Sequence, residues 1–170
     1  NIDLYNFFHL FLSSFSLALL ASFICIVFAI FIIYGVRTNS KIASPFARIA
    51  SLGYSIPGAV AAVGVLIPLA WLDNIISNFA LLYFNISIGL LLTGSWFALL
   101  FAYLVRFLAL SMHSVESSFI KIPISFDYVA KVLGKSNSSI LTNVHARIGM
   151  GGISLGLLIV FVDVLKELPA

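Results

Sequence analysis

The chain has 170 residues, of which 62% are hydrophobic and only 9% charged, with a formal net charge of +3, and its mean hydropathy is +1.16. A domain solvated by water needs about 25% charged residues to make its surface, so a soluble globule is excluded. One cysteine, Cys25, leaves no internal disulfide to be made.

The apolar residues fall into four runs, over residues 15–36, 49–72, 86–108 and 149–165. Each is close to the ~20 residues that cross ~30 Å of hydrocarbon as a helix. In lipid every backbone amide and carbonyl needs an internal partner, and runs this long predict helices and not barrel strands. The expected fold is all-α, a polytopic transmembrane helical bundle, with lipid as its solvent. The chain starts at Asn1 and stops at Ala170, just past charges that interrupt the fourth run, so residues 1–170 are expected to be part of a larger transmembrane domain.

The first run is preceded by acidic Asp3 and followed by Arg37 and Lys41, which predicts a permanent span and not a cleaved leader. In the second run Pro57 and Pro68 either open the helix towards a translocation path or simply kink it. Arg37, Lys41, Arg48, Arg106, Lys121, Lys131, Lys135 and Arg147 fall on one side of this topology and Lys166 on the other. The positive-inside rule makes the rich side cytoplasmic and turns both termini outwards, with Asp73, Asp163 and Glu167 towards the outside. The basic balance is thus explained by topology and not by nucleic acid.

In the fourth run Gly152 and Gly156 form a small-xxx-small pair suited to close helix packing. Asp163, Lys166 and Glu167 share one helical face. They read either as a lining or gate for a cation path, or as a structural Asp163–Lys166 pair.

Residues 111–148 form a mixed-polarity loop on the basic side. Pro123 breaks any arriving helix. Ser125 is a candidate N-cap, Asp127 suits the first turn, and Phe126, Val129, Ala130 and Leu133 make an apolar stripe that ends at Gly134. A second amphipathic helix is expected over residues 138–148, with Ile140, Leu141, Val144 and Ile148 on one side. Gly134-Lys135-Ser136 resembles the end of a phosphate-binding loop, but Val129 stands where that motif needs glycine. His9, His113 and His145 are scattered, and no metal site or catalytic constellation is expected.

The segment Asp127-Tyr128-Val129-Ala130-Lys131-Val132-Leu133-Gly134 resembles the EAA loop of binding-protein-dependent ATP-binding cassette (ABC) permeases. The likeness extends through Leu104-Val105-Arg106-Phe107-Leu108-Ala109, Val115-Glu116, Val144-His145 and the helix-opening Pro57-Gly58. The last ten residues, from Phe161 to Ala170, are similar to the Lys-Glu-Leu-Pro-Ala stretch of ferric-iron permeases. The chain departs from the pattern at Val129, commonly Ala, and at Ala146-Arg147, usually Leu-Pro.

The resemblance implies a multi-pass permease of the bacterial inner membrane, with no catalytic residues and no cofactor of its own. Asp127, Tyr128, Val129, Ala130, Leu133 and Gly134 would contact an ABC ATPase subunit that carries ATP and magnesium. A periplasmic substrate-binding protein and a second permease half would complete the assembly. Pro57, Gly58, Asp163, Lys166 and Glu167 are candidates for the path or its gate. A permease of the same superfamily for thiamine, a phosphonate or an anion, and a membrane scaffold without transport, are the alternatives.

Overall fold

In the computed structural model, which describes residues 4–86 and 89–167, every regular element is helical. Asp3 and the terminal Leu168-Pro169-Ala170 lie outside the described residues.

Helix α1 spans Leu4–Arg37 and has 34 residues, about 51 Å at 1.5 Å per residue. It therefore begins well before residue 15, because nothing in the Phe- and Leu-rich stretch ahead of that point interrupts the ladder. Asn39 closes it in the left-handed region, φ 57°, where the Asn39 and Ser40 amides donate to Val36 and Gly35.

The second apolar run is not one helix from residue 49. A short α2, Ala43–Ser51, and a single 3₁₀ turn, Gly53–Ser55, come first. Proline restricts the residue before it, so Ile56 is extended and the chain breaks there. Helix α3 then starts at Gly58 and runs through Pro68 to Phe84. A side chain on Gly53 would place its Cβ 2.0 Å from the Val105 carbonyl, so glycine lets the 3₁₀ turn lie directly on the next long helix.

Asp73 is inside α3, not beyond its outer end, and is only 2% exposed. Its carboxylate accepts the amides of Leu91, Leu92 and Thr93 at 3.2, 2.8 and 2.9 Å and the Thr93 hydroxyl at 2.8 Å. A buried charge is tolerable when hydrogen-bonded in this way. The same bonds hold residues 91–93 out of a helix, which is why α4 begins at Trp96 and not at residue 86. It continues past residue 108 to Phe119, since no breaker occurs before Pro123 and Met112, Val115 and Phe119 keep its buried face apolar.

Three short helices follow, α5 (Ile124–Val132), α6 (Asn137–Ile140) and α7 (Ala146–Ile148), and then α8 (Met150–Glu167). Helices α1, α4 and α8 enclose the core. One cluster, with Ile26, Ala29, Ile33, Met112, Val115 and Phe119, lies nearer the basic end; another contains Ala18, Ala21, Cys25, Phe107, Val160 and Val164. Gly152 and Gly156 are what allow α8 to approach. A Cβ on Gly152 would stand 2.0 Å from Ser118 Oγ, and one on Gly156 would stand 2.7 Å from Ile26 Cδ1. Ser114 Oγ also donates to the Gly152 carbonyl at 2.8 Å.

Helix α3 packs only one stripe, Val65 and Leu69, against Ala98 of α4. Val63, Ile67, Trp71 and Phe79 point outwards. Helices α1, α3 and α4 are long and apolar enough to cross a membrane; counting the bent pair 137–148 and 150–167, broken by 75°, gives up to four spans.

Candidate functional site: a displayed helix and a half-open charged cavity

Pro123 initiates α5 directly: it takes the cap position with φ −57° and ψ 141°, so Ser125 lies within the helix and not at its cap. At the other end Gly134 adopts φ +74°. Its amide donates to Lys131 O at 2.9 Å and that of Lys135 to Ala130 O at 3.0 Å, the paired bonds of a glycine-closed helix end.

The helix is pinned to the bundle through one carboxylate. Asp127 accepts from Arg37 Nε at 2.8 Å and from His145 Nε2 at 2.6 Å. Arg37 also donates to the carbonyls of Phe119 and Ile122, each at 2.7 Å, and so closes the end of α4 as well. His145 is fully buried, its ring set against Tyr34 and Phe119 with centroids 5.3 and 5.1 Å apart. The Tyr34 hydroxyl donates to Asn137 O at 2.9 Å, fastening α6 to the same spot. Burial pushes the Asp127 carboxyl up, but the hydrogen bonds from Arg37 and His145 outweigh it and hold the group below its ordinary range.

Of the residues expected to contact a partner, Asp127 and Ala130 turn inwards, whereas Tyr128, Val129 and Leu133 point out. Val132, not singled out in the sequence, is the most exposed large apolar residue of the helix at 87%. Phe126 is also exposed, so the expected stripe divides: Ala130 seats the helix and the larger residues are displayed.

The second amphipathic helix is interrupted by a π turn over Leu141–His145. Ile140 and Leu141 are buried and Val144 packs against the core, but Ile148 is exposed. With no proline at Ala146-Arg147 the helix continues through α7, and the bend falls at Gly149, where a Cβ would stand 2.7 Å from Phe119 and from His145 O.

The candidate path residues separate too. Gly58, Lys166 and Glu167 line a cavity of about 570 Å³ together with Ala59, Ala62, Ala102, Tyr103 and Arg106. Pro57 sits just ahead of it as the cap residue of α3. Asp163 is not among the lining residues; it pairs loosely with Lys166, Nζ to Oδ1 3.5 Å.

Arg106 is not at the basic edge: it lies about 15 Å along α4 from Trp96 and about 20 Å from Phe119. There it bonds Glu167 at 2.5 Å, joining α4 to α8. This pair, and the partnership of Asp127 with Arg37 and His145, were not foreseen. The one hint for Arg37 is a lone cation closing an apolar run; for His145 no sequence signal exists.

Comparison of the chain with protein-family models, with curated proteins and with solved structures finds no match.

Proposed function

We propose that the chain is a transmembrane permease subunit of an ABC importer of the bacterial inner membrane, with ferric iron as the solute and α5 as the helix that couples it to an ATPase partner. The observation that carries this reading is the construction of α5. A nine-residue helix at the basic end shows an apolar face of Tyr128, Val129, Val132 and Leu133, while its inner side is fixed by Asp127 and Ala130. An apolar helix face presented to water fits a groove on a partner. A helix tied by charge-assisted bonds to α1 and to the π turn before α8 passes a push on to both.

In this mechanism ATP binding closes two ATPase subunits and moves α5. Arg37 and His145 transmit the displacement to α1 and α8, shifting the bundle between outward- and inward-facing states. A periplasmic binding protein supplies the solute and a second permease half completes the path.

Leu133→Asp is expected to abolish co-purification of an ABC ATPase subunit from membranes while leaving the amount of folded membrane protein unchanged. Absence of any such ATPase with the unaltered protein would refute the reading in favour of a scaffold. Growth on limiting ferric iron, with and without the gene, tests the solute.

A further inference from the structure

We propose that the groove on the partner that receives α5 has an apolar floor and an acidic rim, with Lys131 and Lys135 as the contacts to that rim. The inference rests on the importer reading and adds to it the chemistry by which the partner is recognised. Tyr128, Val129, Val132 and Leu133 are exposed on α5. Val129, Val132 and Leu133 have the i, i+3, i+4 spacing of a helix laid into an apolar groove.

Charge decides the rim. Over residues 120–149 the Lys, Arg, Asp and Glu residues other than Asp127 are Lys121, Lys131, Lys135 and Arg147, and all four are exposed. Asp127, the one carboxylate of the segment, is turned inwards and shared by Arg37 and His145. It stands four residues before Lys131, where a helix allows a pair, yet Lys131 has no carboxylate partner among the described residues, and neither have the other three cations. Outside the segment the nearest acid in sequence is Glu116, back on α4.

The displayed surface is therefore apolar, with cations around it and no exposed acid. The positive-inside rule accounts for the number of cations on this side; it does not require one in the last turn of α5 and another just past Gly134. Opposite charge at the rim of a groove draws such a helix in, and like charge rejects it.

Orientation separates a soluble protein from lipid as the occupant. Arg37 is the last residue of α1, and besides Asp127 it holds the carbonyls of Phe119 and Ile122, at the end of α4. The inner side of α5 thus faces the ends of two helices long enough to cross the membrane, and its outer side faces away from them, towards water. Lipid headgroups meet the flanks of such helices and not the space beyond their ends.

The test uses the chain recovered with its ABC ATPase subunit and placed in zwitterionic nanodiscs, with ATPase retention followed against salt. Retention is expected to fall as salt rises from about 0.1 to about 1 M, over which the screening length shortens from about 10 to about 3 Å. Lys131→Glu combined with Lys135→Glu should weaken retention about tenfold and flatten the salt dependence, as reversal of two rim charges implies. Both positions are exposed, so melting should be unchanged. Arg48→Glu, exposed on α2 outside the segment, should leave retention as it was, and Lys in place of a rim acid of the ATPase should restore retention of the doubly reversed protein.

Retention indifferent to salt and to the double reversal would overturn the proposal and leave the importer reading standing. A loss on reversal that appears in anionic membranes but not in zwitterionic nanodiscs would assign the lysines to lipid and overturn it as well. Failure of the importer reading shows separately, as no ABC ATPase recovered with the unaltered protein, and the acidic rim falls with it.

Discussion

Replacing Asp127 by Ala is expected to destabilise the basic end of the bundle by about 3 kcal/mol, the scale for breaking a largely buried ion pair and leaving its partner charged. The side chains of Asp127 and Arg37 are each 14% exposed and that of His145 is fully buried. Removal of the carboxylate therefore strands two groups that water reaches poorly. The loss is local, because α1, α4 and α8 keep their own packing. Protease cleavage between residues 120 and 149 should become much faster, and thermal melting of the protein in detergent should begin earlier; unchanged cleavage would contradict the role given to Asp127.

The same carboxylate sets a pH dependence. Its folded pKa lies below the ordinary value of 3.8, so the folded state binds the proton less readily than the unfolded chain. The stabilisation is complete above the unfolded value and is lost as pH falls through the folded one. The protection of the 120–149 segment should accordingly fall away on the acid side, and Asp127→Asn should flatten that profile.

Replacing Asp73 by Ala is expected to be strongly destabilising, since three amides and a hydroxyl lose their acceptor. Residues 91–93 and the start of α4 are then no longer held against α3, which has little else to fix it than the stripe at Val65 and Leu69. Loss of monodisperse protein after detergent extraction is the expected readout. Asp73→Asn should be intermediate, because its carbonyl oxygen still accepts while its NH₂ opposes the donors around it. Wild-type behaviour of Asp73→Ala would show that the clamp does not organise this end of the bundle.

Much of this architecture is legible in the sequence because lipid-scale apolar runs force helices, and because Pro123 and Gly134 each have a single local consequence. Boundaries were less legible. Asp73 reads as the end of a span since a charge is costly in hydrocarbon, and only the fold brings the amides of residues 91–93 that make it tolerable. Arg106 reads as an interfacial cation for the same reason, yet Glu167 meets it halfway along α4. Helical spacing put Val129, Ala130 and Leu133 on one stripe, but which of them faces the bundle depends on where Arg37 and His145 hold Asp127. Such pairings between residues distant in sequence leave no trace in periodicity.

The outward side of α5 carries the functional account, and its contact can be measured directly. Val132→Cys places a thiol at the most exposed large apolar position of the helix, whereas Val115→Cys places one in the core, and the native Cys25 is buried in α1. A short heterobifunctional reagent, thiol-reactive at one end and with a photoactivated diazirine that inserts into any neighbouring bond at the other, applied to native membranes should join position 132, and not position 115, to an ABC ATPase subunit, with a yield that changes when ATP is added. Absence of that adduct at position 132, with the protein folded and in the membrane, would contradict the assignment of α5 as a coupling helix.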